Sequence, residues 1–306
     1  MKVYDLIIAG AGPAGLTAGI YAARAKLDVV LYEKMLPGGQ AAATDLVENY
    51  PGFPKGISGS ELMARMAEQA EKFGLDLESK SVEKICRRGN LCLVKTEDGE
   101  EHPSKTVIVA TGAEPKSLGV PGEAKFKGRG ISYCATCDGP LYQGKKVAVV
   151  GGGDSAVEEA LFLTRFAEKV YLIHRRDKLR ATQLLQNRIF ENKKIEFIWD
   201  SVVTEIRGEK SIKSVMTKNV KTEQISELGV DGLFVYVGIL PNSNIFEGDI
   251  QRDEKGFIVT DQDMATSIEG VFAVGDVRSK LLYQIATAVG DGATAAFAAE
   301  KFIENR

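Results

Sequence analysis

Two glycine-rich turns, Gly10-Ala11-Gly12-Pro13-Ala14-Gly15 and Gly151-Gly152-Gly153-Asp154-Ser155-Ala156, constrain this chain more than any other feature. Each follows a short apolar run and opens a helical pattern. That context separates a dinucleotide fingerprint from a chance G-x-G-x-x-G. Residues 3–9 read as a buried parallel strand, and the helix after the first turn runs through Arg24. In such a unit the first glycine permits the turn, the second lets backbone approach a pyrophosphate, and the third lets helix pack on strand. A second strand, 28–33, ends in Glu33 about twenty residues after the glycines, where a carboxylate accepts hydrogen bonds from ribose hydroxyls. A packing turn in some other α/β protein is the competing reading, and the combination of strand, helix and terminal acid counts against it.

The second turn repeats the pattern, with a strand at 145–150 and a helix to about 167. Its next strand, 169–173, delivers His174-Arg175-Arg176-Asp177-Lys178-Leu179-Arg180 where an NAD-selective unit ends in an acid. Guanidinium groups there suit a 2′-phosphate, through charge-assisted and often bidentate hydrogen bonds. Such a cluster standing alone reads as a solvated basic surface; at a strand tip it reads as a ligand. The expected fold is therefore α/β, built of two doubly wound, Rossmann-like dinucleotide-binding domains, and 306 residues suffice for two cores.

A formal net charge of −3 gives no electrostatic footprint for nucleic acid, and no basic run suggests an anionic membrane. Residues 6–23 carry no charge, but Gly10, Gly12, Pro13, Gly15 and Gly19 would interrupt a spanning helix, so neither a signal core nor a membrane segment is expected. The chain reads as cytoplasmic. Four cysteines are too few for a secreted disulfide scaffold. Cys86 and Cys92 are expected as half-buried strand residues in a hairpin over 82–96. With His102 and His174 single and no second C-x-x-C pair, no metal site is expected.

The remaining pair, Cys134 and Cys137, lies between the two fingerprints, and thiols at this spacing are readily oxidised and reduced. The block Ser132-Tyr133-Cys134-Ala135-Thr136-Cys137-Asp138-Gly139, read with both fingerprints, closely resembles the low-molecular-weight thioredoxin reductases, nearly from end to end. No cysteine precedes Cys86, which excludes the glutathione and lipoamide reductase branch, whose reactive pair lies early in the flavin domain.

The resemblance implies FAD and NADPH as cofactors. For FAD it implies the first fingerprint (Gly10, Gly12, Pro13, Ala14, Gly15), Glu33, Lys34, Gly38, Gly39, Gln40 and Asn49, then the Ala110-Thr111-Gly112 turn. Gly275, Asp276, Gln284 and Ile285 complete that set, with Asp276 on the ribityl chain and a helix beginning near Gln284 aimed at the flavin pyrimidine. For NADPH it implies Gly151, Gly153, Asp154, Ser155 and Ala156, with Arg175, Arg176 and Arg180 on the phosphate. His174 either caps the strand or packs against adenine. Tyr283 departs from the family, which commonly has arginine there.

An insert carries NADPH and the dithiol (114–241) inside a flavin domain split into 1–113 and 242–306, with hinges at the two crossings, 111–115 and 238–242. Nicotinamide and disulfide cannot share one flavin face, so the family's domain rotation is expected. In the implied chemistry NADPH reduces the flavin, which attacks at Cys137 and releases Cys134 to exchange with thioredoxin or a thioredoxin-like redoxin. Asp138 acts as general acid and base or merely caps a turn. A homodimer goes with the resemblance. Two other readings stay open: the same fold with another donor, such as ferredoxin, or another protein acceptor; and a non-catalytic nucleotide sensor.

Overall fold

The computed structural model describes every residue except Met1, Asp45, Glu48, Glu247 and Asp249. The chain divides into two compact units, one of Met1–Glu114 with Leu240–Arg306 and one of Pro115–Ile239.

The first unit begins with β1 (Tyr4–Ala9), α1 (Pro13–Arg24) and β2 (Val29–Glu33), and continues through α2 (Gly59–Lys72) and β3 (Asp76–Ser79). The hairpin β4 (Val82–Arg88) and β5 (Leu91–Thr96) leads to the long strand β6 (Glu101–Val109), and β7 (Ala113–Pro115) follows. The sheet order is β3-β2-β1-β6-β5-β4. β1 runs parallel to β2 and β6, whereas β5 is antiparallel to β4 and β6. Residues 6–9 are fully buried, as an inner parallel strand covered on both faces requires. Their side chains alternate. Leu6 and Ile8 join the core on one face with α1, whereas Ile7 joins Ile85, Cys92 and Val94 of the hairpin on the other. Cys92 is therefore buried outright rather than half-buried, because its register points it into this second core; Cys86, six residues earlier across the turn, is partly exposed.

The second unit holds α3 (Glu123–Phe126), β8 (Ile131–Ser132), the one-turn helix α4 (Ala135–Asp138), β9 (Lys146–Val150), α5 (Asp154–Leu163), β10 (Lys169–Ile173) and α6 (Gln183–Glu191). It continues with β11 (Ile195–Ile198), β12 (Ser201–Gly208), β13 (Ile212–Asn219), β14 (Ile225–Gly229), β15 (Gly232–Val235) and β16 (Ile239–Pro241). Five strands form a parallel sheet in the order β11-β10-β9-β15-β8. Alternation recurs here: Val147 and Val149 face the α5 core, whereas Ala148 and Val150 face Val203, Ile206 and Val215 of the antiparallel sheet β12-β13-β14. Helix α5 stops at Leu163, short of the 167 expected from its apolar pattern. The Thr164 hydroxyl donates back to the Leu161 carbonyl at 2.7 Å, and the Lys194 ammonium takes the Thr164 and Ala167 carbonyls at 2.8 and 3.1 Å. A cation supplying those donors closes the helix end.

Strands β7 and β16, where the chain crosses between units, pair as a two-stranded sheet. Back in the first unit, β17 (Val271–Ala273) adds to β6 in parallel, and α7 (Ile285–Glu304) packs on α1 through small residues. No helix among the described residues is long and apolar enough to cross a membrane.

The α1–α7 contact yields a paired test. A Cβ on Gly292 would lie 2.2 Å from the Ala14 carbonyl oxygen, whereas one on Gly290 would meet nothing within 4 Å. In urea melts Gly292→Ala is expected to lose about 1–3 kcal/mol by forcing the helices apart. Gly290→Ala is expected to gain about 0.5–1 kcal/mol from helix propensity alone.

Candidate active site

In the first unit the turn after β1 is possible only with glycine. At Gly10 (φ 107°) a Cβ would lie 2.5 Å from the Ala110 carbonyl oxygen, and at Gly15 one would lie 1.9 Å from that of Gly10. Gly12 has nothing within 4 Å of a built Cβ, no side chain caps α1, and Pro13 takes the first turn. A bare, open helix start presents amide donors to an anion. The expected neighbours converge on this place. Ala11 and Met35 donate their amides to the two carboxylate oxygens of Glu33 at 2.8 and 3.0 Å, and Gly38 N–H donates to the Ala11 carbonyl. A Cβ on Gly39 would lie 3.5 Å from Gly12 Cα. Lys34 and Gln40 are exposed beside this loop. The Thr111 hydroxyl and carbonyl, by contrast, both bond to Asn242, which ties the 110–112 turn to the returning chain.

Around Asp276 the structure shows what the sequence did not. Asp291 is buried and accepts from Gly275 N–H at 3.1 Å while pairing with Arg278 at 3.2 Å and Lys280 at 3.1 Å. Asp276 Oδ1 is buried with no hydrogen-bond partner, although Lys280 lies 3.6 Å away. Burial pushes the Asp276 carboxyl up and Lys280 pulls it down. An orphaned buried acceptor fits a ribityl hydroxyl donating to it. Together with the open start of α1 and the Glu33 carboxylate at the tip of β2, it makes this unit suited to FAD. Gln284 caps α7, its side chain also accepting from Asn49 Nδ2 at 2.9 Å, and Ile285 is the first helical residue. Tyr283, at the departing position, packs on Phe257 with the Lys280 ammonium 5.9 Å from its ring centre.

In the second unit a Cβ on Gly151 would lie 2.5 Å from that of Ala156, whereas Gly153 is open and α5 has no side-chain cap. Asp154 accepts from Thr182 N–H at 2.7 Å, and Arg180 N–H donates to the Gly152 carbonyl at 2.6 Å, so the arginine loop folds back over the fingerprint. Ser155 is exposed and Ala156 buried. Arg175, Arg176 and Arg180 are exposed, and among the described residues no carboxylate lies within ion-pair distance of them. The acid in the same loop, Asp177, is matched by Lys221 at 3.1 Å. His174 does not face outward to an adenine. It is buried, its ring fills the space where a Gly152 Cβ would stand, and its Nε2 lies 3.1 Å from the Lys178 carbonyl. Burial lowers its pKa, so a neutral imidazole braces the loop from inside.

The dithiol lies in the same unit. Cys134 and Cys137 form a disulfide across α4. Three amides of this turn have acceptors within hydrogen-bond distance: Ala135 N–H donates to Tyr236 Oη at 2.6 Å, Cys137 N–H to Cys134 Sγ at 3.2 Å and Asp138 N–H to the Cys134 carbonyl at 3.1 Å. The Thr136 amide lies near the Glu159 carboxyl and favours its charged form. The Thr136 hydroxyl lies 3.3 Å from Cys134 Sγ. Both cysteines and Asp138 are half-buried. Tyr236 follows β15 directly, and its carbonyl also closes on Gly151, where a Cβ would lie 2.7 Å away. One residue thus joins fingerprint and dithiol. Burial, with Glu158 second, pushes the Glu159 carboxyl up to about 7. Burial, with Glu159 second, pushes the Tyr236 phenol well up. Sequence reasoning missed Glu159, Tyr236, Lys280, Arg278 and Asp291. Only Asp291 left a signal, an acid within a helix of small apolar residues. Among the described residues no group of three or more His, Cys, Asp or Glu is placed to hold a metal.

Comparison with known proteins gives consistent matches. The profile of the pyridine nucleotide-disulphide oxidoreductases covers residues 4–292. The thioredoxin reductase of Bacillus subtilis (strain 168) is 48% identical over 304 residues, 99% of this chain and 96% of that one. The solved thioredoxin reductase of Streptococcus pyogenes MGAS5005 superposes with a TM-score of 0.93 at 49% identity, covering 99% of each chain. That of Giardia duodenalis gives 0.92 at 37%, covering 99% of this chain and 100% of that one.

The arginine loop makes a direct prediction. Arg176→Ala and Arg180→Ala are each expected to weaken 2′,5′-ADP binding about tenfold or more, since each removes a charge-assisted contact of about 1.5–3 kcal/mol, and to leave 5′-AMP binding unchanged. Calorimetric titration with the two nucleotides reads both.

Proposed function

The chain belongs to the pyridine nucleotide-disulphide oxidoreductases, and on that footing we propose that it is a thioredoxin-disulfide reductase, passing electrons from NADPH through FAD and the Cys134–Cys137 disulfide to the disulfide of thioredoxin or a similar small redoxin. The observation that carries this reading is the Cys134–Cys137 disulfide on a one-turn helix, in the unit that also holds the arginine-flanked fingerprint.

FAD, when bound, supplies a two-electron relay between a hydride donor and a disulfide. The open start of α1 at Gly12 would hold its pyrophosphate, Glu33 a ribose and Asp276 the ribityl chain, with the start of α7 stabilising negative charge on the reduced ring. Arg175, Arg176 and Arg180 would hold the 2′-phosphate of NADPH. Cys137 takes the electrons. Cys134 leaves as the thiol that attacks the partner's disulfide, and Asp138 gives and takes its proton. The arginine loop and the dithiol belong to one unit and the flavin residues to the other, so hydride donor and disulfide must meet the flavin in turn. Unmatched arginines at the strand tip support NADPH over ferredoxin as donor. A homodimer and a cytoplasmic setting are part of the same proposal, and sedimentation equilibrium checks the first.

Cys134→Ser is expected to keep its yellow colour and its anaerobic bleaching by NADPH, while turnover with a panel of redoxins falls about 10³-fold or more. Redoxin reduction at the normal rate by this variant, or a protein that stays colourless after reconstitution with FAD, would overturn the reading.

A further inference from the structure

Deepening that reading, and resting on it for the source of electrons in the cell, we propose that Glu159 is a positioning residue of the dithiol that also stores the proton the opened disulfide does not hold. Two observations carry the proposal. The Glu159 carboxyl stands on α5, packed against the turn that bears both sulfurs and near its Thr136 amide, and its Oε2 is buried without a hydrogen-bond partner. A side chain serving only as an amide acceptor has no need of a charge in such a place, where desolvation favours the neutral acid.

The groups around it are few. Glu158 precedes it on α5. Tyr236, at the end of β15, feels the charge of both Glu159 and Asp138, the latter on α4. Helix α6 and strands β9 and β10, also packed on α5, bring no charge that acts on Glu159 among the described residues. Among the described residues no cation neutralises a carboxylate here; burial and Glu158 hold its charged form in disfavour while the neighbouring turn carries the closed disulfide.

The step balances as follows. Opening the Cys134–Cys137 bond takes two electrons. If one sulfur becomes a thiol and the other remains a thiolate, sulfur takes one proton and the Glu159 carboxylate takes the second. A thiolate on this turn and a carboxylate on the helix packed against it repel in a poorly screening medium. The site thereby gains two electrons and two protons with no change in net charge. When a protein disulfide oxidises the pair, the electrons pass to the partner's sulfurs, the Cys134–Cys137 bond re-forms and Glu159 releases its proton. The pKa near 7 set by burial makes both directions accessible at neutral pH.

Alkylation of Cys134 by iodoacetamide, followed by mass spectrometry across the neutral pH range in flavin-loaded protein reduced with dithiothreitol, tests this. Glu159→Gln keeps a side-chain oxygen near the Thr136 amide and removes the titration. The wild type is expected to show a two-step profile with one inflection near 7. The Gln variant is expected to show a single step displaced about half a pH unit lower, hence alkylation about threefold faster on the rising limb. Tyr236→Phe, which removes the other long-range anchor, is expected to keep both steps. Superimposable profiles for wild type and Glu159→Gln overturn the proposal. Should the Gln variant not fold, the reduced-minus-oxidised infrared spectrum of the wild type decides: a protonated-carboxyl band gained on reduction supports it and its absence overturns it. Dithiothreitol supplies the electrons in both measurements, so a wrong assignment of donor or redoxin leaves either result unaffected.

Discussion

A helix start exposes amide donors that must find acceptors, and how this chain answers that demand arranges the rest of the molecule. Helices α1 and α5 begin at Gly12 and Gly153 with no side-chain cap and open space beside the glycine. Helix α7 closes its own start with a Gln284–Thr287 capping box. Helix α4 is covered by a sulfur, a phenol and a carboxyl drawn from three parts of the second unit. On the proposed reading the open starts of α1 and α5 take phosphates, and the covered start of α4 carries the redox pair.

Both bare starts exist because parallel strands fully buried on two faces end at the same edge as the glycine turns. In each unit, alternate residues of one strand serve two cores, one made with helices and one with antiparallel strands. The sheet is thereby pinned from both sides. A pinned strand end can hold Gly10 or Gly151 against neighbouring backbone closely enough that no other residue fits.

Charge is distributed by the same economy. Asp291 is matched twice, by Arg278 and Lys280, and Asp177 is matched by Lys221. Among the described residues Asp276 Oδ1, Glu159 Oε2, Tyr32 Oη and Arg252 Nε are buried without a hydrogen-bond partner, and the arginines of the 174–180 loop have no carboxylate within ion-pair distance. Buried polar atoms left without partners mark places where a ligand or a proton completes the structure.

Strand, turn and helix around both fingerprints were legible in the sequence, as were the hairpin over 82–96, the dithiol and the arginine loop, because glycine backbone freedom and hydrophobic period act within a few residues. The antiparallel sheet β12-β13-β14, the end of α5 at Leu163, the burial of Cys92 and the inward turn of His174 were not. Each depends on a partner from elsewhere: Lys194 for the helix end, Gly152 for the histidine ring. The anchors of the dithiol are the extreme case. Ala135 and its acceptor Tyr236 lie 101 residues apart, and Glu159 reaches Thr136 from the helix of the second fingerprint. Which backbone turns and which redox pair this protein has follows from residue type alone, since those are local properties. Which carboxyl is desolvated beside that pair follows from packing, since burial is set by everything that surrounds a group.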